Sequence, residues 1–266
     1  MVDTAYVLSD RRAADIPSQG TGLQSVSAAL DVLDMFLAGS EDLGVSEVSR
    51  RLGVAKSSAH RLLTTLRDHG YVVQTEDSRY RLGLHLFELG TAARERSQLV
   101  RAASGVLEDL RDRTGRTVHL AVPDGACVVY LERQQAVAVV PILKGIPRRL
   151  PVHCSASGKV VAAFDERVAA ARRQGGFAAM TGASIRSAEQ FDRELAAVRA
   201  RGFAVNRGEA RVGAASVAVP LRDGSGRGVG ALSLVTTTED LNRALERYLR
   251  LLASASRTIE CGAGLR

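Results

Sequence analysis

The sequence predicts an α+β protein in two parts. A small, mostly helical N-terminal part ends in a β-hairpin, and a larger part is built on an antiparallel sheet. Three observations carry this. Apolar residues recur at helical spacing through Val45 to Leu66, the period of an amphipathic helix. From Thr117 the period changes to two, as in half-buried strands. The order of elements after that point is three strands, helices, three strands, helix, which suits helices set against an antiparallel sheet. A chain of 266 residues has room for two ordinary domains.

Residues 1–21 are polar and end near Pro17 and Gly20, and they read as a disordered arm. A minor-groove role for Arg11 and Arg12 is the lesser reading, no role the greater. Leu23 to Leu37 is an amphipathic helix. Val26, Ala29, Leu30, Leu33 and Leu37 form its expected buried stripe, which could also make a dimer contact. Ala38 to Gly44 is a loop.

Val45 to Leu52 is a short helix with Val48 and Leu52 on its apolar face. Gly53 stands where the backbone must turn left-handed, and Val54 fills the corner. A second helix starts at Lys56 or Ser57. Ala59, Leu62, Leu63 and Leu66 lie on one side of it, and Ser57, His60, Arg61 and Thr64 on the other. One face packs, and the opposite face offers hydrogen-bond donors with a positive charge. A helix entering the DNA major groove needs that combination. With the small Ser49 in the first helix, this is helix-turn-helix spacing over residues 45–66. An ordinary corner between two helices shares part of it.

Tyr71 to Gln74 and Arg79 to Leu82 flank the polar turn Thr75 to Ser78. Together they read as a hairpin directly after the second helix, a wing over 71–82. The charge changes sign along this region. Leu23 to Ser49 holds five acids and no bases, and Arg50 to Arg81 holds seven Lys/Arg against three acids. Ser57, Ser58, His60, Arg61 and Thr64 are therefore candidates to read bases. Arg50, Arg51, Lys56, Arg79 and Arg81 are candidates to hold phosphates. For either wing arginine singly, a solvated surface charge is an equal reading. The winged domain is placed at 22–84, a linker helix at 85–98 and a second domain at 99–262, with the boundary falling near residue 91.

In the second domain a helix is expected from Leu99 to Arg113. Strands are expected at Thr117 to Val122, Cys127 to Gln134 and Ala136 to Leu143, and Pro147 to Pro151 as an irregular loop. Helices follow at Ser155 to Phe164, Asp165 to Gln174 and Ala188 to Arg201. Then come strands at Phe203 to Arg207, Ala215 to Leu221 and Gly228 to Thr236, and a last helix from Glu239 to Glu260.

A net charge of +7 suits a polyanionic partner. Three cysteines at long spacings, Cys127, Cys154 and Cys261, make neither a disulfide framework nor a metal site. They suit a reducing compartment. No apolar run approaches the ~20 residues of a membrane span, so a cytoplasmic protein with no membrane partner is expected. No cofactor, metal or catalytic residue is expected. Ser157-Gly158-Lys159 lacks the other residues of a phosphate loop. His153 and Cys154 are adjacent, and neighbours in sequence seldom face each other as nucleophile and base. Cys154 stands beside a helix N-terminus, a position that lowers a thiol's pKa.

Five stretches together resemble the IclR family of bacterial transcription regulators, over about Gly22 to Glu260. They are LQSVSAALDVLDMF, VAKSSAHRLLTTLRDHGYV, LPVHCSASGK, RGFAVNRGE and AASVAVPLRDGSGRGVGALSL. The resemblance implies a winged helix-turn-helix joined to a GAF-like effector domain. It also implies homodimers or dimers of dimers on a palindromic operator in double-stranded DNA. Carried over to this chain, the effector pocket would be walled by Val139, Ile142, Leu150 and Ala214. Its polar floor would be Ala156, Ser157, Asn206, Ser216, Ser233 and Val235. Free N–H groups where a helix opens at Ser155 to Gly158 suit an anion, so a small organic acid is the expected effector. Members that take very small acids tend to carry Asp at the position of Asn206 and Ser at that of Val235, which here points to a larger or less polar ligand. The function expected is an effector-controlled DNA-binding regulator, with repression ahead of activation. The alternative is a small-molecule-binding enzyme or sensor with a helical interaction module.

Overall fold

The computed structural model describes residues 23–37, 41–136, 141–143 and 145–266, with the backbone alone at Ile142. The N-terminal arm with Arg11 and Arg12, and the pocket residue Val139, lie outside the described residues. The chain divides into two compact units between Arg96 and Ser97.

The first unit holds α1 (Gln24–Leu37), α2 (Val45–Leu52), α3 (Lys56–Asp68), β1 (Val72–Gln74), β2 (Tyr80–Leu82) and α4 (Leu84–Arg96). Ser49 explains the turn between α2 and α3. Its hydroxyl donates to the Val54 carbonyl at 2.7 Å, and its carbonyl accepts from the Val54 N–H at 3.1 Å. Gly53 sits between them at φ 68°, where a side chain would be strained. Leu43 adds one bridge to the hairpin, exchanging two 2.8 Å backbone hydrogen bonds with Tyr80. Val32, Phe36, Leu43, Val48, Leu63 and Tyr80 are among the residues of the core beneath.

The α1 stripe differs from expectation. Val32 and Phe36 are buried, with Ala29 and Leu33 packed against the core, while Val26, Leu30 and Leu37 are half or more exposed. The helix is apolar on two sides. Periodicity gives both stripes, and the packing of α1 on α3 selects one.

The second unit begins with α5 (Gln98–Thr114), β3 (Thr117–Asp124), β4 (Cys127–Gln134) and β5 (Arg149–Pro151). Next come α6 (Ala156–Phe164), α7 (Glu166–Gly175), α8 (Ala188–Arg201), β6 (Ala204–Arg207), β7 (Ala214–Arg222), β8 (Gly228–Thr237) and α9 (Thr238–Gly262). The strands form one antiparallel sheet in the order β5-β4-β3-β8-β7-β6. Residues of α5 and α9 pack on one face of the sheet, and residues of α6 and α8 on the other. Side-chain oxygens of Ser97, Ser155, Asp165, Ser187 and Thr237 accept backbone N–H groups at the starts of α5 to α9, which fixes where each helix begins.

The third expected strand is corrected at its end, since its middle, residues 137–140, lies outside the described residues. Pro141–Leu143 is a 3₁₀ turn, and the strand beside β4 is Arg149–Pro151, in the stretch expected to be irregular. Alternation in the apolar run read as a strand, but Pro141 has no N–H for a ladder.

Candidate nucleic-acid interface and effector pocket

Helix α3 buries Ala59, Leu63 and Leu66 and exposes Lys56, Ser57, Ser58, His60 and Arg61. The exposed residues share the first turn and a half of the helix, where backbone N–H groups and the positive end of the dipole also lie. Arg50, at the end of α2, is exposed as well. The side chains of Arg50, Lys56 and Arg61 have no hydrogen bond or ion pair among the described residues. Their charge faces outward. Arg51 instead pairs with Glu47 at 2.6 Å. Thr64 is half-buried with its hydroxyl shielded from solvent, so that oxygen does not share the exposed face.

The wing arginines are engaged internally. Arg81 forks onto both Asp42 carboxylate oxygens, at 2.9 and 3.0 Å. Arg79 donates to the Asp42 carbonyl at 2.6 Å and lies 3.5 Å from Glu47. The Arg81 guanidinium beside Asp42 holds that carboxyl below its ordinary range. The pair ties β2 to the segment before α2. The wing tip carries exposed Glu76 and Asp77, the wrong sign for phosphate.

In the second unit a cavity opens on the α6 side of the sheet. It encloses about 470 Å³ of space, its open mouth included. Leu150, Asn206, Ala214, Ser216 and Val235 line it, as do Tyr130, Ile146, Pro147, Met180 and Arg211. Register explains why residues so far apart meet. Asn206, Ser216 and Val235 are cross-strand partners on β6, β7 and β8. Ser155 also lines the cavity, and its Oγ accepts the Gly158 N–H at 3.0 Å. The N–H groups of Ala156 and Ser157, in the same first turn, have no intrahelical acceptor.

Ser157 and Ser233 lie deeper and are fully buried, with the Ser157 hydroxyl donating to Ser233 Oγ at 3.0 Å. Ala156 is buried in the core under the sheet. The Asn206 amide is held at both ends. Its Nδ2 donates to the Cys154 carbonyl at 2.7 Å, and its Oδ1 accepts the Glu209 N–H at 3.0 Å. It shapes the wall more than it offers a free donor.

A bacterial transcriptional regulator IclR C-terminal model matches residues 91–261, and an IclR helix-turn-helix domain model matches residues 25–76. The chain belongs to the IclR family. It is a helix-turn-helix transcription regulator and not an enzyme. It is 36% identical over 225 residues to the HTH-type transcriptional regulator XynR of Escherichia coli, covering 84% of this chain and 89% of that one. It is 26% identical over 230 residues to the Transcriptional repressor IclR of the same organism, covering 84% of each. A solved IclR homolog from Microbacterium hydrocarbonoxydans, complexed with 4-hydroxybenzoate, superposes with a TM-score of 0.79 at 27% identity, over 91% of this chain and all of that one.

Within this IclR-family fold, Tyr130, Ile146, Pro147, Met180 and Arg211 line the pocket unforeseen. Pro147 fell in the stretch taken for a loop, and Ile146 lay just before it in no expected element. The strand alternation in CVVYLERQ could have placed Tyr130, since it shares a face with Val128. The Cys154 expectation is corrected. The thiol is fully buried, and burial pushes its pKa up to about 11 despite the neighbouring helix start, so it is not a poised thiolate. Gly158 has a packing reason in place of a phosphate-loop one, since a Cβ there would sit 2.2 Å from Val152 Cα.

Proposed function

We propose that this regulator binds a palindromic operator through the start of α3, and that a small organic acid in the pocket of the second unit sets its affinity. The observation that carries the DNA reading is the outward, partner-free charge of Arg50, Lys56 and Arg61 beside Ser57, Ser58 and His60. Arg61 and the neighbouring polar groups read base edges, and Arg50 and Lys56 hold phosphates. Arg79 and Arg81 keep the wing in place.

For the ligand, the support is an apolar pocket with a few polar groups and a helix start at one side. Binding of 4-hydroxybenzoate by a relative of the same fold agrees with an organic acid. Control requires that the acid bind the operator-bound and free states unequally, and residues 83–100 are the connection through which it acts. The exposed apolar stripe Val26, Leu30 and Leu37 on α1, with Leu23 just before it, supports a homodimer matched to the two halves of the operator. Repression is the proposed sign, and the cytoplasm the place of action.

Gel shifts with the DNA upstream of its own gene test this. The operator complex should weaken steeply with salt, and an organic acid that raises the melting temperature should change operator affinity. An acid that binds yet leaves operator affinity unchanged removes the control model.

A further inference from the structure

His119 on β3 is fully buried, and neither ring nitrogen has a hydrogen-bond partner among the described residues. The other buried histidine, His153, uses its Nε2 on the Ala178 carbonyl at 3.1 Å. Buried polar groups are nearly always paired, so an unpaired imidazole calls for a reason. Its position supplies one. In the sheet, His119 pairs with Arg133 on β4 and Ser233 on β8. Its ring lies 4.3 Å from that of Tyr130, tilted by 38°. Tyr130 lines the cavity, and so does Val235, two residues beyond Ser233 on the same face of β8. The imidazole thus sits on the cavity side of the sheet, between strands that supply the cavity floor.

Neutral hydrogen-bonding groups stand beside it on β8, α6 and β4. The Ser157 hydroxyl donates to Ser233, and the Tyr130 phenol lies near Ser157. Burial, with the charges of Arg133 and Arg148 nearby, brings the His119 pKa down to about 3. The ring is therefore neutral, with one N–H to donate and one nitrogen to accept. A hydroxyl can satisfy either nitrogen, whereas a carboxylate can use only the donor. Arg133 is half-buried, donates to the Ile146 carbonyl at 2.7 Å and has no carboxylate partner among the described residues. It adds positive potential without closing the site.

We propose that His119 is a ligand-contacting residue at the inner end of the effector pocket, where it selects an acid bearing a hydroxyl group in addition to its carboxylate. This rests on the reading of the pocket as an effector site. The carboxylate meets the start of α6, the apolar walls hold the carbon skeleton, and the hydroxyl completes the His119–Ser233–Ser157–Tyr130 group. An acid without that hydroxyl leaves the imidazole unpaired and binds less well.

Matched acids test it on the full chain: 4-hydroxybenzoate against benzoate, lactate against propionate, and gluconate against hexanoate. Binding is measured by thermal shift and titration calorimetry. In at least one pair the hydroxylated acid should bind tenfold or more tightly than its parent. With ¹⁵N-labelled histidine, that acid should move the His119 imidazole resonances and its parent should not. His119→Phe should reduce the hydroxylated acid to its parent's affinity while leaving the parent unchanged. Equal affinities within every pair, an unmoved imidazole, or full binding by His119→Phe would each overturn the His119 role while leaving the effector site standing. Binding by none of the six acids overturns both. Should His119→Phe fail to fold, the imidazole signals of the native chain decide.

Discussion

Lys56 and Lys159 each lie near the start of a helix that carries a candidate site, and the fold treats them in opposite ways. Lys56 opens α3, exposed and without a partner among the described residues. Lys159, in α6, is 2% exposed, with its Nζ 2.6 Å from the Val205 carbonyl and 2.8 Å from Glu209. Glu194 stands 3.4 Å away. The difference separates two kinds of recognition. A polyanion is met by charge left in water, where it costs nothing to hold ready. A small ligand is met in a mostly apolar cavity by a few placed donors and acceptors, while a buried charge such as Lys159 is paired within the protein.

The largest effect should come from breaking the buried side of this contrast. Lys159→Met leaves Glu209 without its main cation in a site where burial already pushes that carboxyl's pKa up. Removing one member of such a buried pair costs roughly 3–5 kcal/mol. Urea unfolding of the second unit should show that loss. Lys56→Met, a surface change, should leave stability within about 0.5 kcal/mol. Comparable losses for both would erase the distinction. Glu209 also anchors the loop that brings Ala210 and Arg211 to the pocket, through Thr181 and Ser184 hydroxyls on its carbonyl at 3.1 and 2.7 Å. Ligand affinity should fall along with stability.

His119 tests the neutral half of the contrast through pH. Its folded pKa, about 3, lies below the ordinary 6.5 because burial disfavours the cation. The unfolded chain takes up a proton near pH 6.5 that the folded chain refuses until about pH 3. No penalty exists above pH 6.5. It grows as pH falls through that window and is complete at its lower end. Between pH 7 and 5 the native chain should lose about 2 kcal/mol more stability than His119→Phe, since one proton is worth about 1.4 kcal/mol per pH unit. Parallel pH profiles for the two chains would show a charged or solvated imidazole and sink the argument.

On the exposed side, Arg61→Ala should cost roughly 1–3 kcal/mol on the operator and relax base preference, with little loss on random DNA. Equal loss on both sequences would assign Arg61 to phosphate in place of base.

These tests also mark what the sequence made legible. The helix pair was readable because one local period sets which side of α3 packs and which faces out, all within about twenty residues. The pocket draws on β4, the turn after it, and four later strands. Its geometry depends on strand order and register, which no local period encodes. Asn206, Ser216 and Val235 came from family resemblance, and cross-strand pairing explains why they meet. Tyr130 had only the alternation of its own strand, and Arg211 had no guide. The α1 stripe and the end of the expected third strand, at Pro141 to Leu143, differ from expectation for a related reason. Each had the right period, and the choice of partner lay elsewhere in the chain.

The smallest effect separates two uses of charge within the first unit. Arg81 is forked onto Asp42, and Arg79 is held by the Asp42 carbonyl near Glu47. If they serve the wing and not the phosphates, Arg79→Ala and Arg81→Ala release no bound counterions on their own account. The slope of log affinity against log salt should then stay where it is. Lys56→Ala and Arg50→Ala should each flatten that slope by about one. Asp42→Asn removes the Arg81 clamp from its other side, and it should reproduce Arg81→Ala in affinity as well as in slope. A flattening by Arg81→Ala that Asp42→Asn does not share would put the guanidinium on the backbone of DNA, and the wing would join α3 in the interface.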